Sequence, residues 1–300
     1  MKNSKVSATK TKFSPLTVSL LVVLVLYVLI MFLIFYWILI SASKQYDGDY
    51  EGLPKFGLPH NRIGLPKQFF LFENIQEMSG AFEETLIGLA WNTILYAVGC
   101  SLSKVVVTCV VAYLCARYDN WFSRLIYGVV IVTMIVPVVG SQASEIQLAK
   151  FLKLYNHIWG MWLMRANFLG MYFLVFYAGF KAMPAGYYEA AKIDGAGDMQ
   201  IMCRIALPLV KYTFLSIFLI VFIEYWNDYL IPNYYLPDHR TLSLALFQQM
   251  QNGGGTSNQI YQETPYAMTT VLLITTPVIV LFSVFSKHLM GNLSVGGLKG

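Results

Sequence analysis

The length, composition and charge of this chain exclude an ordinary soluble globular fold. Of its 300 residues, 57% are hydrophobic, 15% are aromatic and only 12% are charged, whereas soluble domains carry about 25% charged residues. Charge this sparse cannot cover a globular surface of this size, so most of the chain must face lipid or itself. The net charge of +5 sorts by membrane side and therefore indicates topology, not a nucleic-acid partner.

Six segments are long and apolar enough to cross a bilayer, which takes about twenty residues per helix. The first is longer than a typical signal-peptide core and lacks a convincing small-residue cleavage site, so we expect it to be retained as an anchor. The third is short and is expected to lean on its neighbours. The sequence thus predicts an all-α membrane protein with six transmembrane helices. The predicted spans are residues 17–40, 89–115, 125–140, 158–180, 214–231 and 267–285.

Polar segments divide the chain into regions around these spans. Lys and Arg are more numerous in the connections on the side of the N-terminus, so the positive-inside rule places both termini in the cytoplasm. A second long external segment, residues 232–265, contains a glycine-rich tip. The predicted regions are a basic tail at 1–16, the first transmembrane helix at 17–40, an extracellular loop at 41–86 with one short helix near 73–78, a five-helix core at 87–286 and a C-terminal tail at 287–300.

The most informative stretch is a polar island at residues 181–212, between two apolar spans. Pro184 can start a helix there, and residues 187–193 can continue it. Gly195 can then supply the left-handed turn that ends the helix. This pattern predicts one short amphipathic helix on the cytoplasmic face of the membrane.

A second short helix is expected over residues 198–205. Leu207 and Pro208 are then expected to break it, because proline removes a backbone donor and restricts the residue before it. The two helices would form a helix-turn-helix across the membrane face. An ordinary loop with two amphipathic helices is the plainer alternative, although simple loop chemistry requires no fixed gapped spacing.

The spacing of this island resembles the EAA coupling loop of the membrane subunits of ABC importers. The pattern is Glu-Ala-Ala, three residues, Gly, nine residues, then Ile-x-Leu-Pro. From Leu89 to Gly300 the chain resembles the second permease of carbohydrate-type, maltose-type importers. The supporting pieces are Trp91-Asn92-Thr93, Ala112-Tyr113, Arg117, Trp226-Asn227-Asp228 and the ending Gly296-Gly297-Leu298-Lys299-Gly300.

This resemblance implies a type I ABC importer permease fold with cytoplasmic EAA coupling helices, in a bacterial cytoplasmic membrane. It implies a heterodimer with a second homologous permease, two ATP-binding subunits and an extracellular solute-binding lipoprotein. ATP and Mg would be bound by the ATPase partners, and no cofactor by this chain. The solute would be a sugar, with an oligosaccharide favoured. A peptide, a polyamine or another non-sugar solute is the alternative.

The resemblance also assigns roles within the loop. Glu189 would contact a basic residue of the ATPase, Ala190 and Ala191 would permit close approach, and Gly195 would shape the turn. The ATPase-coupling residues implied are Tyr188, Glu189, Ala190, Ala191, Asp194, Gly195, Ile205, Leu207 and Pro208.

Ionisable residues inside the predicted spans mark a candidate solute passage. Arg165 and Glu224 each lie about eight residues from the outer ends of their spans, which is a depth of about 12 Å. A charge at such depth is costly unless it is paired or faces water. We expect the two to form a charge pair, which either lines the passage or braces two helices. Lys104, deep in the second span, could snorkel, pair with a partner subunit or mark a misplaced span boundary.

A polar and aromatic zone extends this candidate passage. Sugar hydroxyls need oriented donors and acceptors, and the apolar faces of sugar rings stack on aromatic side chains. An interfacial aromatic belt is the alternative explanation. The further residues of the zone are Asn167, Trp226, Asn227 and Asp228.

No catalytic constellation accompanies these features in the sequence. A membrane enzyme or scaffold would be the alternative class, but no paired carboxylates, serine elbow or phosphate-binding glycine loop is present. The cysteines are expected to be small apolar packers, and their spacing with the histidines predicts neither a disulfide nor a metal site. They are Cys100, Cys109, Cys115 and Cys203.

Overall fold

The computed structural model describes residues 14–44, 65–66, 68–81, 84–136, 140–251 and 264–290. Within these ranges the chain forms helices and connections and no β-strand, so the predicted all-α class is confirmed. The helices are α1 Pro15–Ala42, α2 Leu71–Ala81, α3 Leu86–Arg117, α4 Trp121–Ile135, α5 Gln142–Phe151, α6 Ile158–Met164, α7 Met171–Lys181, α8 Gly186–Ile193, α9 Asp198–Ile201, a π-helix Met202–Ala206, α10 Leu207–Leu209, α11 Lys211–Trp226, α12 Leu230–Tyr235, α13 Leu242–Gln251 and α14 Thr264–Met290.

The chain divides into two compact units, of which the first comprises residues 1–77 and 263–272. Within it, the Asn74 amide donates hydrogen bonds to the backbone oxygens of Ala42 at 2.8 Å and Lys44 at 2.9 Å. The Thr269 hydroxyl also donates to the Ala42 oxygen, at 3.2 Å. These bonds hold the end of α1 beside α2 and the beginning of α14. Most of α1 is apolar and exposed, as expected for a helix that meets lipid.

The second unit, residues 78–262 and 273–300, is organised around α3. One face of this helix packs on α6 and α7, and another packs on α11. Aromatic edges lock both contacts, because Tyr113 meets Phe180 of α7 at 5.3 Å between ring centroids and Tyr96 meets Tyr225 of α11 at 5.7 Å. The core of the unit therefore surrounds one long apolar helix.

Three of the described helices are long and apolar enough to cross a membrane by themselves. They are α1, α3 and residues 265–284 of α14. A bent pair, residues 198–209 with 211–226, passes the same test together, and α4 and α7 are shorter apolar helices. The six-span count therefore stays a prediction. The glycine tip at 253–255 and the tails at 1–13 and 291–300 lie outside the described residues.

The prediction of one continuous helix over residues 158–180 is wrong. The helix stops at Met164 and restarts at Met171, and Gly170 before the restart has a φ of +125°, which does not continue a helix. The freed backbone is partly satisfied from a neighbouring helix, because the Thr108 hydroxyl of α3 donates to the Asn167 oxygen at 3.1 Å. A hydropathy window cannot detect such a break, since it counts apolar residues and not backbone partners.

Close packing of α3 on α6 depends on a glycine. A Cβ added at Gly99 would overlap the indole ring of Trp162, whose N–H donates to the Leu95 oxygen at 3.0 Å. We therefore expect Gly99→Ala to lower the thermal midpoint of the purified protein in detergent, because the indole must move and lose that bond. The matched variant Gly128→Ala also replaces a helical glycine, but its added Cβ meets nothing within 4 Å. It should keep or raise the midpoint, because alanine is more favourable than glycine in a helix by up to about 1 kcal/mol. Equal midpoints for both variants would refute this packing.

Candidate functional site

The polar island folds as two short helices joined by a tight turn. Gly195, between α8 and α9, has a φ of +79°. The Gly195 N–H donates to the Lys192 oxygen at 3.0 Å and the Ala196 N–H to the Ala191 oxygen at 2.9 Å. This is the Schellman arrangement, in which a left-handed residue lets the chain cap its own helix. The predicted first helix and its glycine turn are confirmed.

The expected break at Leu207 and Pro208 is wrong. After α9 the chain widens into the π-helix Met202–Ala206 and continues as α10. The Leu207 N–H donates to the Met202 oxygen five residues back, and Pro208 stands in the first turn of α10, where a missing N–H is tolerated. The chain bends after α10 instead, at Val210, where the two helical segments meet at 73°.

The loop has one face packed on the rest of the second unit and one exposed face. Tyr188 and Ala191 are buried, whereas Glu189 and Ala190 beside them are exposed. Asp194, Gly195 and Pro208 are also exposed, and Ile205 and Leu207 are half-buried. The side chains of Tyr187, Ile193 and Met199 add large apolar groups to the exposed face. Exposed apolar side chains grouped beside a charge are typical of a surface for a protein partner.

The end of α3 holds the buried face of the loop in place. The Arg117 guanidinium lies over the Tyr188 ring, 4.3 Å from its centroid, a cation–π contact. Burial raises the pKa of the Tyr188 phenol above its usual value, while the Arg117 charge opposes that rise. Burial and then the Asp198 carboxylate of α9 raise the pKa of Tyr118. Tyr118 was not predicted from sequence, since only its tertiary neighbour distinguishes it.

The predicted charge pair between Arg165 and Glu224 is wrong. Arg165 Nη2 lies 4.0 Å from Glu145 Oε2, and Glu224 Oε2 lies 4.0 Å from Lys104 Nζ. The break after Met164 moves Arg165 out of a helix, so the equal depth along two continuous helices that favoured the pair does not exist. Lys104, which the sequence left open, is the ionic partner of Glu224.

Arg165 lies in the broken segment between Trp162, which contacts Gly99 of α3, and Asn167, which contacts Thr108 of α3. Its guanidinium lies 5.5 Å from the centroid of the Tyr235 ring, and the Tyr235 hydroxyl donates to Glu145 Oε2 at 3.4 Å. Arg165 Nε and Nη2 are buried and have no hydrogen-bond partner among the described residues. The guanidinium therefore joins α5, α12 and the broken segment mainly through charge and ring contacts.

The remaining residues of the predicted polar zone divide between packing and surface. The Trp226 indole is buried and donates to the Ile274 oxygen at 3.1 Å. Asp228 accepts a hydrogen bond from the Tyr96 hydroxyl at 2.8 Å. The Asn167 backbone oxygen accepts the bond from Thr108 described above. The residues Asn167 and Asn227 are both exposed. Trp226 and Asp228 thus bind neighbouring helices at the end of α11, while Asn227, the residue just after that helix, is exposed to the surface.

Among the described residues, no group of three or more His, Cys, Asp or Glu side chains could hold a metal ion. Cys100, Cys109 and Cys115 are buried, as predicted for small packers, but Cys203 in the π-helix is exposed. The expectation that Cys203 is a small apolar packer is therefore wrong, because its side chain lies on the exposed side of the polar loop.

The conformation of Gly195 gives a direct test of the loop. Left-handed backbone costs a β-branched residue about 1–2 kcal/mol, which corresponds to about a 5- to 30-fold change in a local equilibrium. We expect Gly195→Val to speed amide hydrogen exchange across residues 186–193 by that factor. Gly195→Asn is the matched control, because asparagine adopts this conformation readily, and its exchange should stay near the original. Equal exchange in the two variants would contradict the assigned turn.

Known proteins resemble this chain along most of its length. The melibiose/raffinose/stachyose import permease protein MelC of Bacillus subtilis is 26% identical over 271 residues, which cover 88% of this chain and 91% of that protein. The diacetylchitobiose uptake system permease protein NgcG of Streptomyces coelicolor is 28% identical over 269 residues, covering 88% of this chain and 82% of that protein.

A solved structure and a family description give the same assignment. The crystal structure of a bacterial ABC transporter involved in the import of the acidic polysaccharide alginate contains a chain that matches with a TM-score of 0.74 at 18% identity, over 93% of this chain and 99% of that one. This confirms the predicted ABC importer permease fold. Residues 108–294, more than half of the chain, match the family described as binding-protein-dependent transport system inner membrane component. This chain is a multi-pass membrane protein that belongs to that family of transport permeases.

Proposed function

We propose that this chain is one of two homologous permeases in an ATP-driven importer of a sugar, with an oligosaccharide favoured. The observation that carries the proposal is the exposed surface of the polar loop, on which Glu189 and the apolar Tyr187 and Ile193 are all exposed. The importer would contain two ATP-binding subunits, which would hold ATP and Mg, and one of them would dock on this face. An extracellular solute-binding lipoprotein would deliver the solute. Similarity to MelC, a melibiose/raffinose/stachyose import permease, and to NgcG, a permease of a diacetylchitobiose uptake system, supports the solute class.

The loop is built to transmit a push and not to hydrolyse ATP. It begins just after α7, and it ends at the bend that starts α11. Its buried Tyr188 lies under Arg117 of α3. A displacement of its exposed face would therefore reach three membrane helices at once, as in other rigid-body switches. Hydrolysis itself would belong to the partner subunits.

The charge of Glu189 provides the test of coupling. We expect Glu189→Lys to lower both sugar uptake and solute-stimulated ATP hydrolysis by at least about tenfold, because a charge reversal converts one attractive contact into a repulsive one. The measurement uses the importer purified with its associated subunits and reconstituted in lipid vesicles. The amount of this chain in the membrane should not change, since Glu189 is exposed.

Glu73→Lys is the matched control for that experiment. Glu73 is also an exposed glutamate in the first turn of a short helix, but it belongs to α2 in the first unit. Its reversal should leave uptake near the original level. Undiminished uptake in Glu189→Lys, with both variants present in equal amounts, would overturn the coupling assignment.

The proposed orientation places the loop and both termini in the cytoplasm of a bacterial cell. The exposed Cys203 of the loop is then a natural reporter of the inside. An impermeant maleimide should label it only after the cells are permeabilised. A Lys153→Cys variant, whose position is exposed beyond the end of α5, should be labelled in intact cells. Labelling of Cys203 in intact cells carrying the original chain would reverse the orientation.

A further inference from the structure

A charged cluster lies deep among the apolar helices of the second unit. Lys104 is 18 residues past the first residue of α3 and 13 before the last, or about 27 Å and 20 Å from its two ends. Around it, α3, α7 and α11 carry predominantly apolar side chains. A charged pair at that depth is costly, and such residues in membrane helices line routes or meet partners more often than they face lipid.

Three helices supply the cluster. Tyr172 of α7 donates its hydroxyl hydrogen to Glu224 Oε1 at 2.6 Å. Lys104 Nζ lies 4.0 Å from Glu224 Oε2, and it lies 5.6 Å and 5.8 Å from the ring centroids of Tyr172 and Tyr225. The Glu224 carboxylate thus accepts a hydrogen bond from the Tyr172 phenol and lies opposite the Lys104 ammonium group, which two aromatic rings also stabilise.

The ion pair is open. A separation of 4.0 Å is too long for a direct hydrogen bond, so the ammonium retains donors and Oε2 retains acceptor capacity. The Glu224 side chain is 50% exposed and that of Lys104 is 20% exposed. A single hydroxyl group, as donor to Oε2 and acceptor from Nζ, can bridge this gap in the way an ordered water bridges polar groups.

The same helix face continues the open region. Residues three or four apart on a helix share a face. On the face of α11 that carries Glu224, every side chain is exposed or half-buried, whereas Ile217, Val221 and Tyr225 on the neighbouring face are buried. An exposed carboxylate at this depth makes contact of this face with lipid tails costly. The face consists of Tyr212, Ser216, Ile220, Glu224 and Asn227.

A groove on another side of α11 has a different lining from the charged cluster. It is a cavity of about 380 Å³ between α3, α11 and α14. Its lining is apolar throughout and includes Val98, Phe218 and Leu281. Lipid tails suit such a groove, so the two sides of α11 face two different environments.

We infer that Lys104, Tyr172 and Glu224 form a hydroxyl-binding subsite on the solute passage, and that the open face of α11 lines that passage. This inference rests on the proposed sugar import. The cluster provides donors, acceptors and an aromatic ring while its two charges cancel. It therefore fits a neutral, hydroxyl-rich solute better than a polyamine, which would need excess negative charge.

Cysteine accessibility tests the passage without disturbing the cluster. Ile220 is 50% exposed and lies one turn before Glu224 on the open face. In a Cys203→Ser background, Ile220→Cys in the complete importer should react with a hydrophilic methanethiosulfonate. Val98→Cys is the matched control, because Val98 is an exposed apolar residue of the lipid-type groove, and it should stay unreactive.

The solute probes are melibiose, raffinose and diacetylchitobiose. A probe that the unmutated importer takes up should slow the reaction of Ile220→Cys several-fold when it is loaded with the binding protein and ATP. No reaction at Ile220→Cys, or a reaction that the transported probe does not slow, overturns the passage. Failure of the unmutated importer to take up any probe counts instead against the proposed sugar function, and the two failures are thus distinct.

A second measurement separates solute contact from helix bracing. Glu224→Gln keeps the shape of the side chain but removes its charge, and we expect it to lower the sugar transported per ATP hydrolysed about tenfold, the size expected for one charged hydrogen bond. If the cluster only braces helices, assembly and ATP hydrolysis fall together and their ratio to transport stays unchanged. That result overturns the subsite.

Discussion

The packing of α3 against α7 and α11 is the interaction on which the rest of the second unit depends. Small or compact side chains on the buried faces of α3, such as Ala97, Cys100 and Ala112, let its neighbours approach closely. The same helix then carries a polar contact at each level. Tyr96 binds Asp228 near one end, Lys104 faces Glu224 in the middle and Arg117 covers Tyr188 at the other end. Any movement of the loop therefore acts on α3, which is a single continuous helix.

A bilayer also restricts where this fold can interrupt its helices. Backbone groups freed by a break need partners, because lipid supplies none. The break at residues 165–170 lies against α3, where Thr108 reaches the Asn167 oxygen. The second irregular stretch, the π-helix before α10, lies in the polar loop, where the Leu207 N–H donates to the Met202 backbone oxygen five residues back. Both interruptions occur where protein can satisfy them: the first places Arg165 outside a helix, and the second lies in the exposed polar loop.

Local signals allowed the sequence to predict part of this arrangement. The long apolar run of α1 and the glycine turn at Gly195 depend on nearby residues, so hydropathy and turn chemistry were sufficient. The partners of Arg165 and Glu224 are long-range, at 20 and 120 residues along the chain. The sequence offered only the depth of each residue along an assumed straight helix as a guide to its partner. The break after Met164 makes that depth invalid for Arg165. Pro208 was misassigned because its effect depends on whether the preceding turn widens to compensate for the missing donor.

The geometry of α11 connects the loop with the charged cluster. The helix begins directly after the bend at Val210, and Glu224 lies 14 residues beyond that bend, or about 21 Å along the axis. A rotation of about 5° at the bend would thus move Glu224 by about 2 Å. Lys104 belongs to α3, so such a rotation changes the 4.0 Å gap between ammonium and carboxylate. A pair that closes to direct contact loses the capacity to hold a bridging hydroxyl, because its donors and acceptors then satisfy each other. The open pair and the bend are consequently linked through α11, so the proposed push on the loop would change the separation at the proposed hydroxyl-binding subsite.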